Sequence, residues 1–176
     1  MVVTVFGSSR PAEGDPQYET ARRLGNELAR SGFAVCTGGY GGTMEAVSRG
    51  AAEAGGRVVG VTARSFQSRA NRWVQEEIAV ETWRDRLFRL IALGQGYVAL
   101  PGGTGTLAEI AVVSEMLNKG QLAHRPLVLL GEFWKPVISL VESVGHQGSL
   151  WQAAETPLVQ FAPDPAVACQ LLQKSL

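Results

Sequence analysis

A glycine-rich turn followed by a carboxylate is the strongest chemical signal in this chain. Residues 100–110 read LPGGTGTLAEI, and Glu109 comes five residues after Thr104. The first turn of a helix presents unpaired N–H groups and the positive end of the helix dipole, which together favour a phosphate. A carboxylate one helical turn further on would lie beside the group attached to that phosphate. The alternative is a glutamate that only complements the helix dipole, but the apolar neighbours of Glu109 favour an enclosed, functional carboxylate.

Two further strand-to-helix junctions are rich in glycine or small hydroxyl residues. They read FGSSR at residues 6–10 and TGGYGGTM at residues 37–44. In parallel sheets, ligands bind where the strands end, so three such junctions predict one shared pocket, although each could also be a tight, capped turn. Tyr40 and Met44, in the second of these junctions, are further candidates for ligand contact, although a Met after a glycine turn is more often a packing residue. The residues that we expect to bind substrate or its phosphate are Gly7, Ser8, Ser9, Gly38, Gly39, Gly42, Thr43, Met44, Gly102, Gly103, Thr104, Gly105 and Thr106.

Other phosphate-binding motifs fit less well. A Walker motif is excluded because no Lys-Ser or Lys-Thr follows a glycine loop. Gly103, Gly105 and Ala108 match a dinucleotide fingerprint, but that match lies late in the sheet, and Glu109 would repel a pyrophosphate. We therefore expect a small ligand and no cofactor.

Composition excludes several partners. Sixteen basic and sixteen acidic side chains cancel in 176 residues, so the chain offers no basic field for a nucleic acid or an anionic membrane. Cys36 and Cys169 lack metal-ligand spacing and read as buried free thiols of a cytoplasmic protein, with no metal site. The amino terminus lacks the pattern of a signal peptide, and no apolar run reaches transmembrane length.

The secondary-structure elements that must position these residues alternate between strand and helix, as in βαβ units. Short apolar strands alternate with longer helical patterns, which predicts one domain over residues 1–176 with a Rossmann-like, doubly wound parallel sheet in three layers. After the third strand, the polar segment 63–73 is expected to be a mobile loop, followed by a short strand at 77–82. The patterns predict helices over residues 16–31, 43–54, 83–93, 104–118 and 135–144.

The helix over residues 104–118 is apolar around most of its circumference. Burial at a twofold interface would explain this, and so would a position in the core. His124 and His146 are expected to lie in exposed loops.

The ordered set of motifs resembles the LOG-like family, the cytokinin riboside 5'-monophosphate phosphoribohydrolases once labelled lysine decarboxylases. PGGTGTLAE fits the family's PGGxGTxxE signature, and VFGSS, GGYGGTMEA and Arg86 extend the match over most of the first 120 residues. The resemblance implies a homodimeric Rossmann-like enzyme that releases free base and ribose 5-phosphate from nucleoside 5'-monophosphates. It also implies a catalytic pair of Arg86 and Glu109.

Departures from the family leave a second hypothesis open. Leu87 follows Arg86 where typical members have lysine, and Glu45 replaces a small residue in GGYGGTMEA. The altered loop is similar to that of a neighbouring branch that includes molybdenum-cofactor carriers, so the alternative is a non-catalytic binding or carrier protein. A lysine decarboxylase is rejected, because that reaction needs a Schiff-base lysine and none of Lys119, Lys135 and Lys174 lies in a glycine-rich junction.

Overall fold

Seven parallel strands form the centre of the computed structural model, which describes residues 1–144 and 159–176. Their order across the sheet is β4-β3-β2-β1-β5-β6-β7. The strands are β1 (Val2–Phe6), β2 (Ala34–Thr37), β3 (Val58–Ala63), β4 (Glu76–Val80), β5 (Gly96–Ala99), β6 (Leu127–Leu130) and β7 (Val159–Ala162). The Rossmann-like prediction is confirmed. His146 lies outside the described residues.

Among the described residues, helices α1 to α5 lie between strands, a short 3₁₀ turn follows β3, and α6 follows β7. The helices are α1 (Pro16–Arg30), α2 (Thr43–Glu53), α3 (Trp83–Leu93), α4 (Thr104–Asn118), α5 (Lys135–Val144) and α6 (Pro165–Ser175), and the 3₁₀ turn is Arg64–Phe66. Local chemistry explains several helix starts. Pro16 stands at the first turn of α1, and Thr82 and Asp85 form a capping box at α3.

The helices cover both faces of the sheet. Residues of α1, α2 and α6 join one buried cluster, which includes Leu24, Val47 and Leu172. Residues of α3, α4 and α5 join a second cluster on the opposite face, which includes Leu90 and Ile110. The result is the three-layer arrangement that continuous apolar strands predict.

The strand order reverses at β1, which pairs with β2 on one side and β5 on the other. Val2 lies opposite Ala34, and Phe6 lies opposite Ala99. The glycine-rich junctions after β1, β2 and β5 therefore meet at one edge, at the topological switch point where ligands bind in such sheets.

The two cysteines and His124 have the environments predicted for them, whereas one strand is shifted. Cys36 and Cys169 are buried free thiols, and His124 is exposed. The predicted strand at 77–82 is instead Glu76–Val80, because Thr82 is taken by the cap of α3. Among the described residues, no helix is both long and apolar enough to cross a membrane.

Candidate functional site

The amino terminus of α4 is open to solvent. Gly103, Thr104 and Gly105 are exposed, and no side chain caps the helix at Gly103. A Cβ atom added at Gly103 or Gly105 would meet no atom within 4 Å. Because the first N–H groups of a helix have no partner within it, α4 offers donors and a positive dipole end to an anion.

The other two glycine junctions are packed against each other. The Thr43 N–H donates to the Ser8 carbonyl at 2.8 Å, and a Cβ on Gly42 would lie 2.4 Å from the Ser9 carbonyl carbon. The N–H of Thr43 is therefore already bonded, although the sequence placed this residue among the phosphate ligands. Of the three junctions, the one after β5 is the best placed to receive a phosphate.

Arg86 extends from the first turns of α3 into the protein. It is only 6% exposed, whereas Arg84 and Arg89 on the same helix are exposed. Its Nε donates to the Val61 carbonyl at 2.8 Å and its Nη2 donates to the Gly38 carbonyl at 2.9 Å. Burial lowers the pKa of Arg86, and the charge of Glu109 raises it. Arg86 is thus a fixed, buried guanidinium, unlike the two exposed arginines of the same helix.

Gly38 is required to admit this guanidinium. A Cβ atom at position 38 would lie 1.5 Å from Arg86 Nη2 and 2.6 Å from the Met44 sulfur. The sequence marked Gly38 and Met44 as ligand contacts, and in the structure both touch Arg86, with Nη2 at 3.5 Å from the sulfur. Part of the glycine signature therefore serves the arginine rather than a phosphate directly.

Glu109 lies half-buried in the second turn of α4. Burial raises the pKa of its carboxyl to about 7, and the positive charge of Arg86 opposes that rise. Among the described residues its carboxylate forms no hydrogen bond or ion pair. A carboxyl group that titrates near neutral pH is suited to proton transfer, and its anion is suited to stabilising a developing positive charge.

The two predicted catalytic residues thus act on each other electrostatically across the junctions after β2 and β5. At 1.5 Å per residue, five residues place Glu109 about 7.5 Å along the axis from Thr104. A single ligand can therefore have its phosphate at the open end of α4 and its reacting atom beside Glu109. The catalytic and binding roles of these residues remain predictions.

A separate cavity of about 200 Å³ lies at the same edge of the sheet. Its lining is mostly apolar and includes neither Arg86 nor Glu109. The lining residues are Pro16, Gln17, Thr20, Thr43, Leu100, Pro101, Leu130, Gly131 and Pro163. The charged groups Arg86 and Glu109 therefore lie outside this cavity.

Sequence reasoning missed the segment after β3, which was expected to be a mobile loop. Asn71 bonds to the glycine junction in three ways: its N–H donates to Gly39 O at 2.7 Å, and its Nδ2 donates to Gly39 O at 3.1 Å and to Tyr40 O at 3.0 Å. The rings of Tyr40 and Phe66 lie near Arg86. One asparagine and one phenylalanine in a polar stretch carry no periodic signal that could have revealed these contacts.

Residues 1–144 and 159–176 contain no cluster of three or more side chains suited to binding a metal ion. The donor groups of the candidate site are one guanidinium, one carboxylate and helix N–H groups. Acid-base and electrostatic catalysis by these groups requires no metal ligand.

Comparison with known proteins gives matches over nearly the whole chain. The model of the SLOG cluster4 family matches residues 1–153. A cytokinin riboside 5'-monophosphate phosphoribohydrolase from Rhodococcoides fascians is 31% identical over 163 residues, which cover 89% of this chain and 82% of that protein. A pyrimidine/purine nucleotide 5'-monophosphate nucleosidase from Escherichia coli K12 is 33% identical over 128 residues, 65% of this chain and 28% of that protein. The structure of the molybdenum cofactor carrier protein from Chlamydomonas reinhardtii superposes with a TM-score of 0.76 at 27% identity and covers 98% of this chain and 96% of that one.

Proposed function

This chain belongs to the SLOG cluster4 family, and we propose that it hydrolyses the N-glycosidic bond of nucleoside 5'-monophosphates. The products are the free base and ribose 5-phosphate. The observation that carries the proposal is a half-buried Glu109 carboxyl one helical turn from an open helix amino terminus. Burial raises its pKa to about 7, and the charge of the fixed guanidinium of Arg86 acts on it.

In this mechanism the phosphate binds at the amino terminus of α4, where N–H groups are free to donate. The ribose then lies over Glu109. As the bond from the anomeric carbon to the base nitrogen breaks, positive charge develops on the ribose, and the Glu109 carboxylate stabilises it. Glu109 accepts a proton from the attacking water, whose oxygen bonds to the anomeric carbon. The proton is then passed to the departing base, so the net change is the addition of one water.

In this mechanism Arg86 contributes to catalysis as a positive charge that is held in a fixed orientation. Carbonyl groups from β3 and the β2 junction hold Nε and Nη2, so little reorganisation is needed during the reaction. Facing the site, the guanidinium stabilises negative charge that develops on the base nitrogen. It also keeps Glu109 partly ionised near neutral pH, because its charge opposes the effect of burial.

The test is chromatographic detection of free base after incubation of the purified protein with a panel of purine and pyrimidine nucleoside monophosphates. The expected result is base release by the wild type and a loss of at least about a hundredfold in Glu109→Gln, with nucleotide binding retained. The matched control is Glu115→Gln, since Glu115 lies on the same helix but is exposed and paired with Lys119. Absence of base release from every monophosphate by the wild type would overturn the proposal.

A carrier function is the second candidate, and two observations favour it. The carrier from Chlamydomonas reinhardtii shares the fold over nearly its whole length. Leu87, which replaces a family lysine, is buried at 4% exposure, so this position supplies no second cation. The α4 amino terminus would then hold the phosphate of a pterin-type cofactor without hydrolysis. Tight binding of such a cofactor, together with no base release, would identify the carrier.

We further propose that two copies associate through α4 and α5. A groove of about 170 Å³ between these helices has a mostly apolar lining that includes Leu107, Ile110 and Val141. Leu140 on α5 is 67% exposed. Apolar surface of this kind on two adjacent helices is typical of a subunit interface.

Light scattering tests the association. The wild type is expected to have the mass of a dimer at micromolar concentration, and Leu140→Asp that of a monomer. Leu176→Asp is the control, because Leu176 follows α6 on the other face of the sheet. A monomeric wild type would refute the interface.

A further inference from the structure

An aromatic pair covers the guanidinium of Arg86 on the side of the β3–β4 segment. The Tyr40 ring centroid lies 5.2 Å from the Arg86 Cζ atom, and the Phe66 ring centroid lies 5.9 Å from it. The two ring centroids are 5.8 Å apart, with the planes inclined at 51°. Both distances to Arg86 are within the range of cation–π interactions.

The two rings differ in how much of each is available to a ligand. Tyr40 is half-buried, and its hydroxyl accepts from the Ala63 N–H at 2.8 Å and donates to the Ala63 carbonyl at 3.2 Å. Phe66 has no polar group to hold and is 43% exposed. Tyr40 therefore acts as a support, and Phe66 presents an uncovered aromatic surface next to Arg86.

The backbone holds Phe66 in this position. Phe66 ends the 3₁₀ turn, and Gln67 follows with a left-handed φ of 51°, the one non-glycine residue with positive φ among those the structure describes. The Ser65 N–H donates to the Glu81 carbonyl at 3.1 Å, which ties the turn to the end of β4. Unusual backbone conformations of this kind cluster at ligand sites because the surrounding structure must enforce them.

Asn71 fixes the same segment to the glycine junction. Its side-chain amide donates to the carbonyl groups of Gly39 and Tyr40 at 3.1 and 3.0 Å. Because Gly38 in that junction accepts from Arg86, Asn71, the junction and the guanidinium are linked by hydrogen bonds. Phe66 packs against Tyr40 of this linked group, with the ring centroids 5.8 Å apart.

The order of groups along the sheet edge matches the order of groups in a nucleotide. The open end of α4 comes first, and Glu109 follows one turn later. The charge of Glu109 acts on Arg86, and the rings of Tyr40 and Phe66 lie 5.2 and 5.9 Å from the Arg86 Cζ atom. A nucleoside 5'-monophosphate carries its phosphate and its base at opposite ends of the ribose. With the phosphate on α4 and the ribose at Glu109, the base extends towards Arg86 and Phe66.

We propose that Phe66 is the stacking surface for the base of the substrate, with Tyr40 as its support. This inference rests on the proposed hydrolase function and names the part of the ligand that this unassigned subsite binds. Every base has a π-face that can stack on an aromatic ring. Stacking therefore favours planar heteroaromatic groups in general and does not discriminate between one base and another. The subsite therefore favours nucleotides over sugar phosphates and accepts both purines and pyrimidines.

The test compares two ligands that differ only by the base. Calorimetry measures the binding of adenosine 5'-monophosphate and of ribose 5-phosphate to Glu109→Gln, with and without Phe66→Ala, so that hydrolysis does not intervene. Phe66→Ala is expected to weaken nucleotide binding roughly ten- to hundredfold, the range of base–aromatic stacking, and to leave ribose 5-phosphate binding unchanged. Phe66→Trp is expected to restore nucleotide binding.

Phe88→Ala is the matched control, since Phe88 is 47% exposed and lies two residues after Arg86, on the opposite side of α3. An equal loss of affinity for both ligands would show that Phe66 only supports the fold, and would overturn the inference. If Phe66→Ala leaves nucleotide binding unchanged while the wild type releases base, the inference is overturned but the hydrolase function stands. Failure of the wild type to release base from any nucleotide, or of Glu109→Gln to bind one, would instead refute the proposed function, and the stacking proposal with it.

Discussion

Glu109→Gln is expected to change the pH dependence of folding stability as well as activity. Burial raises the pKa of Glu109 from 4.5 to about 7. Between these two values the folded chain keeps the Glu109 proton while the unfolded chain has lost it. The folded state then binds more protons, so the free energy of unfolding falls as the pH rises through this window.

The size of the effect follows from the shift. At 1.36 kcal/mol per pKa unit, ionisation of Glu109 costs the folded state at most about 3 kcal/mol above pH 7, and solvent access to a half-buried carboxylate reduces this figure. Glutamine carries no charge, so the variant lacks this cost. The stability of Glu109→Gln relative to wild type should therefore increase by about 1 to 3 kcal/mol between pH 4.5 and pH 8.

Urea denaturation at several pH values measures this difference. Subtracting the wild type from the variant removes the contribution of the ionisable groups that the two proteins share. Glu115→Gln serves again as the control, because Glu115 lies on the same helix but is exposed. A flat difference curve for Glu109→Gln would refute the raised pKa, and with it the use of Glu109 as a base poised near neutral pH.

Three further outcomes are expected. Adenosine 5'-monophosphate should bind at least about tenfold more tightly than adenosine in calorimetry, because only the former supplies a charged acceptor to the N–H groups of α4; equal affinities would refute the phosphate site. The kcat/KM for base release should rise with pH to a plateau above about pH 7, since Glu109 must be ionised to accept a proton, and a profile that falls over this range would assign Glu109 an acid role. Gly38→Ala should lower stability by about 1 to 3 kcal/mol and abolish activity, because its Cβ would displace Arg86, whereas Gly41→Ala, with its nearest neighbour at 4.0 Å, should retain both.

The fold could be predicted closely because its signals are local. The predicted helices at 83–93, 104–118 and 135–144 have the bounds that the structure gives α3, α4 and α5. Apolar strands between amphipathic helices, with glycine or proline at their ends, leave few alternatives to a parallel sheet. The helices predicted at 16–31 and 43–54 end one residue earlier in the structure, at Arg30 and Glu53, since helix ends depend on cap geometry that patterns do not fix.

The candidate site was predictable only in part, because its geometry depends on contacts between residues far apart in sequence. Arg86 binds carbonyl groups 25 and 48 residues away, and nothing in the residues around it distinguishes it from the exposed Arg84 and Arg89. The resemblance to a family supplied that choice. The glycines in the three junctions indicate that some group lies close to the backbone there, but the sequence does not say which group it is. At Gly38 that group is a guanidinium, and at Gly42 it is the β1–α1 loop.

This distinction changes how the glycine-rich junctions contribute to function. If all three bound phosphate, the pocket would hold several anionic groups, as a dinucleotide requires. Of the three glycine-rich junctions, the one at α4 has an exposed helix amino terminus, and the other two help to bury Arg86 and to lock the β1–α1 loop. One phosphate-binding end beside one carboxylate and one guanidinium fits a monophosphate whose sugar and base extend away from α4. A second phosphate is attached on the side away from the ribose, so it would extend beyond the N–H groups of α4 into solvent and gain little from them. We therefore expect adenosine 5'-diphosphate to bind more weakly than the monophosphate, and competition of the two nucleotides in base release would measure the difference.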